Sequence, residues 1–151
     1  MIIERCTSES LEDWVKLRQV LWPDGTFEDL RREATDMLDR PRNAVAYLAR
    51  EENGHTAAFA EATLRRDYVN GCSTSPVGFL EGIYVEAPWR RCGIARLLCR
   101  TLEDWAAGLG CTEFASDVLL HNEAGQRVHA ALGFKEAERV VYFVKQLRRG
   151  N

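Results

Sequence analysis

Glu81 stands alone in an otherwise apolar run, Val77-Gly-Phe-Leu-Glu-Gly-Ile-Tyr-Val85. A carboxylate in such a setting either pairs with a cation or acts as a base, because burial raises its proton affinity and a neighbouring positive charge lowers it. Asp117 plays the same part near the end of a second strand-like stretch, Cys111 to Val118, and ligands of open α/β sheets bind beyond strand ends. Between the two carboxylates, Arg90-Arg91-Cys92-Gly93-Ile94-Ala95 opens directly into a helical pattern. Small residues at Gly93 and Ala95 let a ligand approach the backbone, and the free N–H groups of a helix start favour a pyrophosphate. Arg90 and Arg91 add positive charge.

The elements that must position these groups follow from periodicity and punctuation. Ile2 to Cys6 reads as a short strand, and Leu11, Trp14, Val15, Leu17, Leu21 and Trp22 recur at helical spacing until Pro23-Asp24-Gly25. An acidic helix is expected from Phe27 to about Leu38, ended by Pro41. Asn43–Arg50 and Ala57–Arg66 form a hairpin across Asn53-Gly54. A polar loop, Asp67 to Pro76, leads to the strand that carries Glu81. Gly93 to Leu109 is the clearest helix, with Ile94, Leu97, Leu98, Leu102 and Trp105 on one stripe. The strand Cys111–Val118, a helix Asn122–Leu132 and a last strand Glu138–Val144 complete the order β-α-α-β-β-β-α-β-α-β. That pattern predicts an α/β domain, a mixed central sheet flanked by helices, over residues 1–151.

A length of 151 residues suits one domain with a sizeable core. The net charge of -3 argues against a nucleic-acid partner, which needs a clustered positive surface. No apolar run reaches the roughly 20 residues of a membrane span, and Met1–Cys6 lacks a signal-peptide core, so a cytoplasmic location is expected. Cys6, Cys72, Cys92, Cys99 and Cys111 are odd in number and contain no C-x-x-C pair, so neither a disulfide framework nor a metal site is expected. Six carboxylates between Asp24 and Asp39 face only Arg31 and Arg32, which reads as a solvated helix face.

The strand Leu80–Val85 with Arg90-x-x-Gly93-x-Ala95 after it, and Ala131-Leu132-Gly133-Phe134 further on, resemble the GCN5-related N-acetyltransferase superfamily. Narrower blocks are similar to the aminoglycoside 6'-N-acetyltransferases of antibiotic resistance: Leu21-Trp22-Pro23, Asp67 to Cys72, Ser75-Pro76-Val77, Phe79 to Ile83, Ala115-Ser116-Asp117 and Glu138-Arg139-Val140. The resemblance implies acetyl-CoA as cosubstrate, transfer to the 6'-amino group of drugs such as kanamycin, and a homodimer. Its alternative is a related enzyme acetylating a polyamine, peptide or protein amine, and a non-catalytic CoA-binding module is the reading from another class.

For the site, the resemblance implies that Ile83, Tyr84 and Val85 hold the pantetheine and Arg90, Arg91, Cys92, Gly93, Ile94 and Ala95 the pyrophosphate, with Asn122 at the cofactor or capping its helix. Trp22, Tyr68, Glu81, Asp117 and Glu138 match positions lining the antibiotic cleft, where several carboxylates suit a polyammonium guest; Trp22 also fits a core stripe. The base is Glu81 or Asp117, directly or through water. His129 stands where the superfamily often has a tyrosine that protonates the departing thiolate; a buried helix histidine without that role is its competitor. Cys92 would face phosphate and not a thioester, which favours direct transfer over an acyl-enzyme. Val140-Val141-Tyr142-Phe143 supplies either an interface or core.

Overall fold

In the computed structural model, which describes residues 1–150, a five-stranded sheet separates two helical layers. The chain runs β1 (Ile2–Arg5), α1 (Leu11–Leu21), α2 (Phe27–Leu38), β2 (Ala44–Arg50), β3 (Thr56–Arg65), β4 (Val77–Val85), α3 (Ile94–Gly108), β5 (Phe114–Ser116) and α4 (Glu123–Ala131), with a 3-10 turn at Ala87–Trp89. Strand order follows chain order. The first four strands are antiparallel, and β5 lies parallel to β4 after the crossover through α3.

Local chemistry accounts for the boundaries. Thr26 accepts the Asp29 N–H at 3.1 Å and starts α2, and Asn122 does the same for Gly125 at 2.9 Å at the start of α4. On one face of the sheet Trp14, Val15, Leu30 and Ala34 bury Leu48 and Phe59. On the other, Ile94, Leu98 and Leu102 of α3 pack on Ala58, Ala60, Ala62 and Leu80. The alanines of β3 leave room for α3 to lie close to the sheet. Cys6, Cys99 and Cys111 are buried, Cys72 is half-buried and Cys92 exposed.

Two strands differ from expectation. The stretch 111–118 forms a strand only over Phe114–Ser116. The expected last strand, Glu138–Val144, does not form; residues 135–150 carry no helix or strand. Val141, Tyr142, Phe143 and Val144 are 73%, 82%, 93% and 88% exposed. A β-branched and aromatic run has strand propensity, but a strand exists only against a partner edge, and this segment meets none among the described residues. It is therefore not core.

Candidate functional site

The sheet opens where β4 parts from β5. Three rungs join them, Gly78 to Phe114, Phe79 to Ala115 and Leu80 to Ser116, after which β4 continues to Val85 and β5 stops. Glu81 and Asp117 are the first residues past the last rung, one on each lip of this fork. On β4 the lip is bulged: Glu61 opposes Gly82 and Ala62 opposes Leu80, so Glu81 is the extra residue. A bulge redirects a side chain and is a recurrent device beside active sites.

Glu81 accepts the Thr63 hydroxyl at 2.7 Å and Arg65 Nη2 at 2.9 Å on one oxygen and 3.1 Å on the other. The Arg65 guanidinium lies 3.5 Å from the Phe79 ring centroid. Next to Glu81, Gly82 makes room for an indole: a Cβ there would stand 2.6 Å from Trp22 Cη2. Trp22 is half-buried, edge-on to Phe59 at 6.2 Å, with the Arg18 guanidinium 4.8 Å from its ring centroid. The ring is thus partly core, and it packs on Gly82 of the β4 lip.

Arg18 belongs to a buried cluster. It donates to both Glu61 oxygens, from Nε at 2.9 Å and Nη2 at 3.0 Å, while Trp14 Nε1 donates at 2.9 Å. Its Nη1 reaches Leu30 O at 2.7 Å and Glu33 at 3.1 Å. Burial works against the Arg18 charge, but the bonds and charges of Glu61 and Glu33 outweigh it and lift its pKa. Burial pushes the Glu61 carboxyl up, with Arg18 and Trp14 pulling the other way. All three bonds to its oxygens come from donors, so the ionised form suits the cluster.

Beneath the fork, α3 begins at Gly93, a left-handed residue (φ 81°) with no side-chain cap and nothing within 4 Å of where a Cβ would sit. Arg91 is left-handed as well (φ 63°), strain that a non-glycine residue rarely carries. The first helical N–H groups thus point from an open, uncapped start, the arrangement that suits an anion. Arg90 turns back to β4, where Nε donates to Val85 O at 2.9 Å and the guanidinium lies 5.7 Å from the Tyr84 ring centroid. His129 lies within 2.7 Å of Gly125 O through Nδ1 and of Ser116 Oγ through Nε2. A carbonyl can only accept, so Nδ1 carries the proton; Ser116 Oγ also stands 3.1 Å from Leu80 O at the last rung.

Register thus puts Glu81 and Asp117 next to the last rung on adjacent strands, Trp22 packs on Gly82, and Ile83 and Val85 pack with Ile94 at the start of α3. Tyr68 is 74% exposed in the β3–β4 loop, and Glu138 lies in the exposed C-terminal stretch. Asn122 caps α4. Arg18, Glu61, Thr63, Arg65 and Ser116 escaped the sequence reading. Two had signals: Arg18 falls on the stripe of Trp14 and Trp22, and Glu61 is one acid among alanines, as Glu81 is among apolar residues. Arg65 had none, since a basic residue at a strand end is ordinary. A hollow of about 360 Å³ lined by Arg5, Cys6, Trp14, Met37 and Ala44 contains none of the expected site residues. Among the described residues no group of three or more His, Cys, Asp or Glu could hold a metal, and no helix is long and apolar enough to cross a membrane.

Residues 11–134 match the acetyltransferase (GNAT) family. An aminoglycoside N(6')-acetyltransferase type 1 from Serratia marcescens is 49% identical over 142 residues, 94% of this chain and 97% of that protein. The crystal structure of the apo aminoglycoside antibiotic 6'-N-acetyltransferase AAC(6')-IG from Acinetobacter haemolyticus superposes with a TM-score of 0.93 at 43% identity, covering 98% of this chain and 100% of that one. The structure of AAC(6')-Iy in complex with the bisubstrate analogue CoA-S-monomethyl-acetylneamine superposes with a TM-score of 0.91 at 38% identity, covering 97% and 98%.

Proposed function

Because this chain belongs to the acetyltransferase (GNAT) family, we infer that it is an aminoglycoside 6'-N-acetyltransferase. It transfers acetyl from acetyl-CoA to the 6'-amino group of an aminoglycoside by direct attack in a ternary complex, a reaction that confers resistance. The observation that carries this reading is the fork itself, with a carboxylate on each lip and an uncapped helix start below, in a chain so close to enzymes of that activity.

Acetyl-CoA supplies the activated acyl thioester. Arg91, Cys92, Gly93, Ile94 and Ala95 suit its pyrophosphate through the open α3 start, and Arg90, held over Tyr84, borders the same approach. The β4 edge past the last rung, Ile83, Tyr84 and Val85, offers backbone partners to the pantetheine, with Val85 O already taken by Arg90, and an N–H there polarises the acyl carbonyl. Asn122 serves this side by capping α4. Glu81 takes the proton of the attacking ammonium, a role supported by its place on the bulge, while Asp117 receives a second ammonium of the drug. Trp22 forms a wall beside them, and Tyr68 closes from its loop. With both nitrogens engaged, His129 acts through the Ser116 hydroxyl and not on sulfur itself.

The acetyltransferase domain is taken as residues 1–151, and acetyl-CoA, a product of central metabolism, suits the cytoplasm. The homodimer is assigned to the C-terminal stretch, because the exposed run Val141–Val144 needs a cover that the rest of its own chain does not provide. Glu138 stands at the start of that run, so its place beside an aminoglycoside depends on the assembly.

Kanamycin incubated with acetyl-CoA should gain one acetyl group, located at the 6'-nitrogen by fragmentation mass spectrometry, with CoA thiol released in step. Absence of thiol release with every 6'-amino drug would overturn the assignment, and faster turnover of a polyamine or peptide amine would transfer it to that class. Glu81→Gln should lower kcat/KM by about 10²–10⁴, the usual worth of a general base.

A further inference from the structure

Glu81 already holds a cation of its own chain. Arg65 reaches one of its oxygens through Nη2 at 2.9 Å and Nε at 3.3 Å, and the other through Nη2 at 3.1 Å. Thr63 adds a further donor at 2.7 Å on the first oxygen. A carboxylate offers about four lone-pair sites, so an arriving ammonium finds most of them taken.

We propose that Arg65 is an internal stand-in for the substrate's ammonium, an affinity-determining residue that occupies the cation place on Glu81 and gives way when an amine binds there. The proposal rests on the reading of Glu81 as the group that receives the attacking amine. Guanidinium and ammonium are both donors without acceptor capacity and carry the same charge, so they repel at the range at which one carboxylate would hold both. That repulsion favours exchange, and the exchange also clears the oxygens on which the amine's proton is to land.

The surroundings fit a displaceable partner. The two side chains are 43% and 28% exposed, which makes this an ion pair of the weak, solvent-screened kind. The ring of Phe79, under the guanidinium at 3.5 Å, gives Arg65 a defined resting place. The neighbouring pair differs on every count. Arg18 and Glu61 are 6% and 2% exposed, with Trp14, Leu30 and Glu33 completing their bonds, so that pair has no route for exchange with a ligand.

The test is steady-state kinetics on the full chain with kanamycin at saturating acetyl-CoA, for Arg65→Lys, Arg65→Met and Arg65→Glu, each checked for an unchanged melting temperature. Arg65→Met should lower the kanamycin KM about two- to fivefold, the worth of one exposed ion pair. Arg65→Glu should lower it at least as far, Arg65→Lys should stay near the parent, and the acetyl-CoA KM should not move. A residue that merely orients Glu81 predicts the opposite: a raised kanamycin KM and a lower kcat in the Met and Glu variants. That result, or an unchanged KM in both, overturns the proposal. Glu81→Gln separates the two levels. Retained kcat in Glu81→Gln sinks the reading of the base, whereas loss of kcat there with no gain from Arg65→Met sinks the stand-in alone.

Discussion

Replacing Arg18 by Met tests whether the interior of this enzyme is organised around one ion pair. In the parent, Glu61 is fully buried and accepts three bonds, two of them from Arg18. Arg18→Met leaves that carboxylate buried with Trp14 Nε1 as its remaining donor. Removing one partner of a buried pair costs about 3–5 kcal/mol, mostly the cost of the orphaned charge. For a chain of this size about 3 °C is lost per kcal/mol, so the melting temperature should fall by about 10–15 °C. Arg18→Met combined with Glu61→Leu removes both charges and leaves the Trp14 N–H without its acceptor and Leu30 O without the Arg18 donor, a loss of about 1–3 kcal/mol for each unpaired group. Urea unfolding of the four proteins gives the cycle: the double variant should be more stable than Arg18→Met alone, a coupling far outside additivity. The double variant should still bind kanamycin more weakly, with the acetyl-CoA KM unaltered, because Trp22 has lost the cation behind its ring. A single substitution costing under about 1 kcal/mol, or a double variant matching the sum of the singles, would refute the argument.

Gly82→Ala should destabilise by about 1–3 kcal/mol and shift the tryptophan fluorescence, since its methyl meets a ring held between Phe59 and Arg18; unchanged emission and stability would contradict that contact. Thiol labelling with iodoacetamide should modify Cys92 first and be slowed by CoA, because Cys6, Cys99 and Cys111 are buried and burial, with Glu103, pushes the Cys99 thiol up to about 12. Labelling of Cys99 ahead of Cys92, or indifference to CoA, would count against the loop assignment. The Thr74 hydroxyl, followed by the Ser73 N–H, holds the Glu113 carboxyl below its ordinary value of 4.5. A lowered folded value stabilises above the ordinary one and is lost as pH falls through the lowered one. The melting difference between parent and Glu113→Gln should thus be present at pH 7 and vanish in acid; a difference that grows toward low pH would reverse the sign. Truncation after Ala137 should convert a dimer to a monomer in analytical ultracentrifugation, and a dimer surviving that cut would remove the C-terminal stretch from the interface.

The elements legible in the sequence were those whose signal is local. The stripe Ile94, Leu98, Leu102 makes α3 whatever lies around it, the Asn-Gly turn closes β2 onto β3, and an acid in an apolar run marks Glu81. The loop before α3 was readable from its small residues and its place at a helix start, whereas the left-handed backbone at Gly93 and Arg91 shows only in the structure. Val140 to Val144 had every local mark of a strand and forms none within the chain, since pairing is a property of two edges.

The sequence alone determined the order of elements as far as α4, the glycine at the start of α3 and the two carboxylates in the strands on either side of it. Tertiary structure alone decided that the sheet parts after Leu80 and Ser116, that a bulge falls at Glu81, that Trp22 packs on Gly82, and that Arg65 and not Arg18 rests on the Glu81 carboxylate. The reason is the range of the forces. Backbone preference and periodicity act over a few residues, whereas a charge pairs with whatever partner the folded chain brings within about 3–4 Å, however distant in sequence.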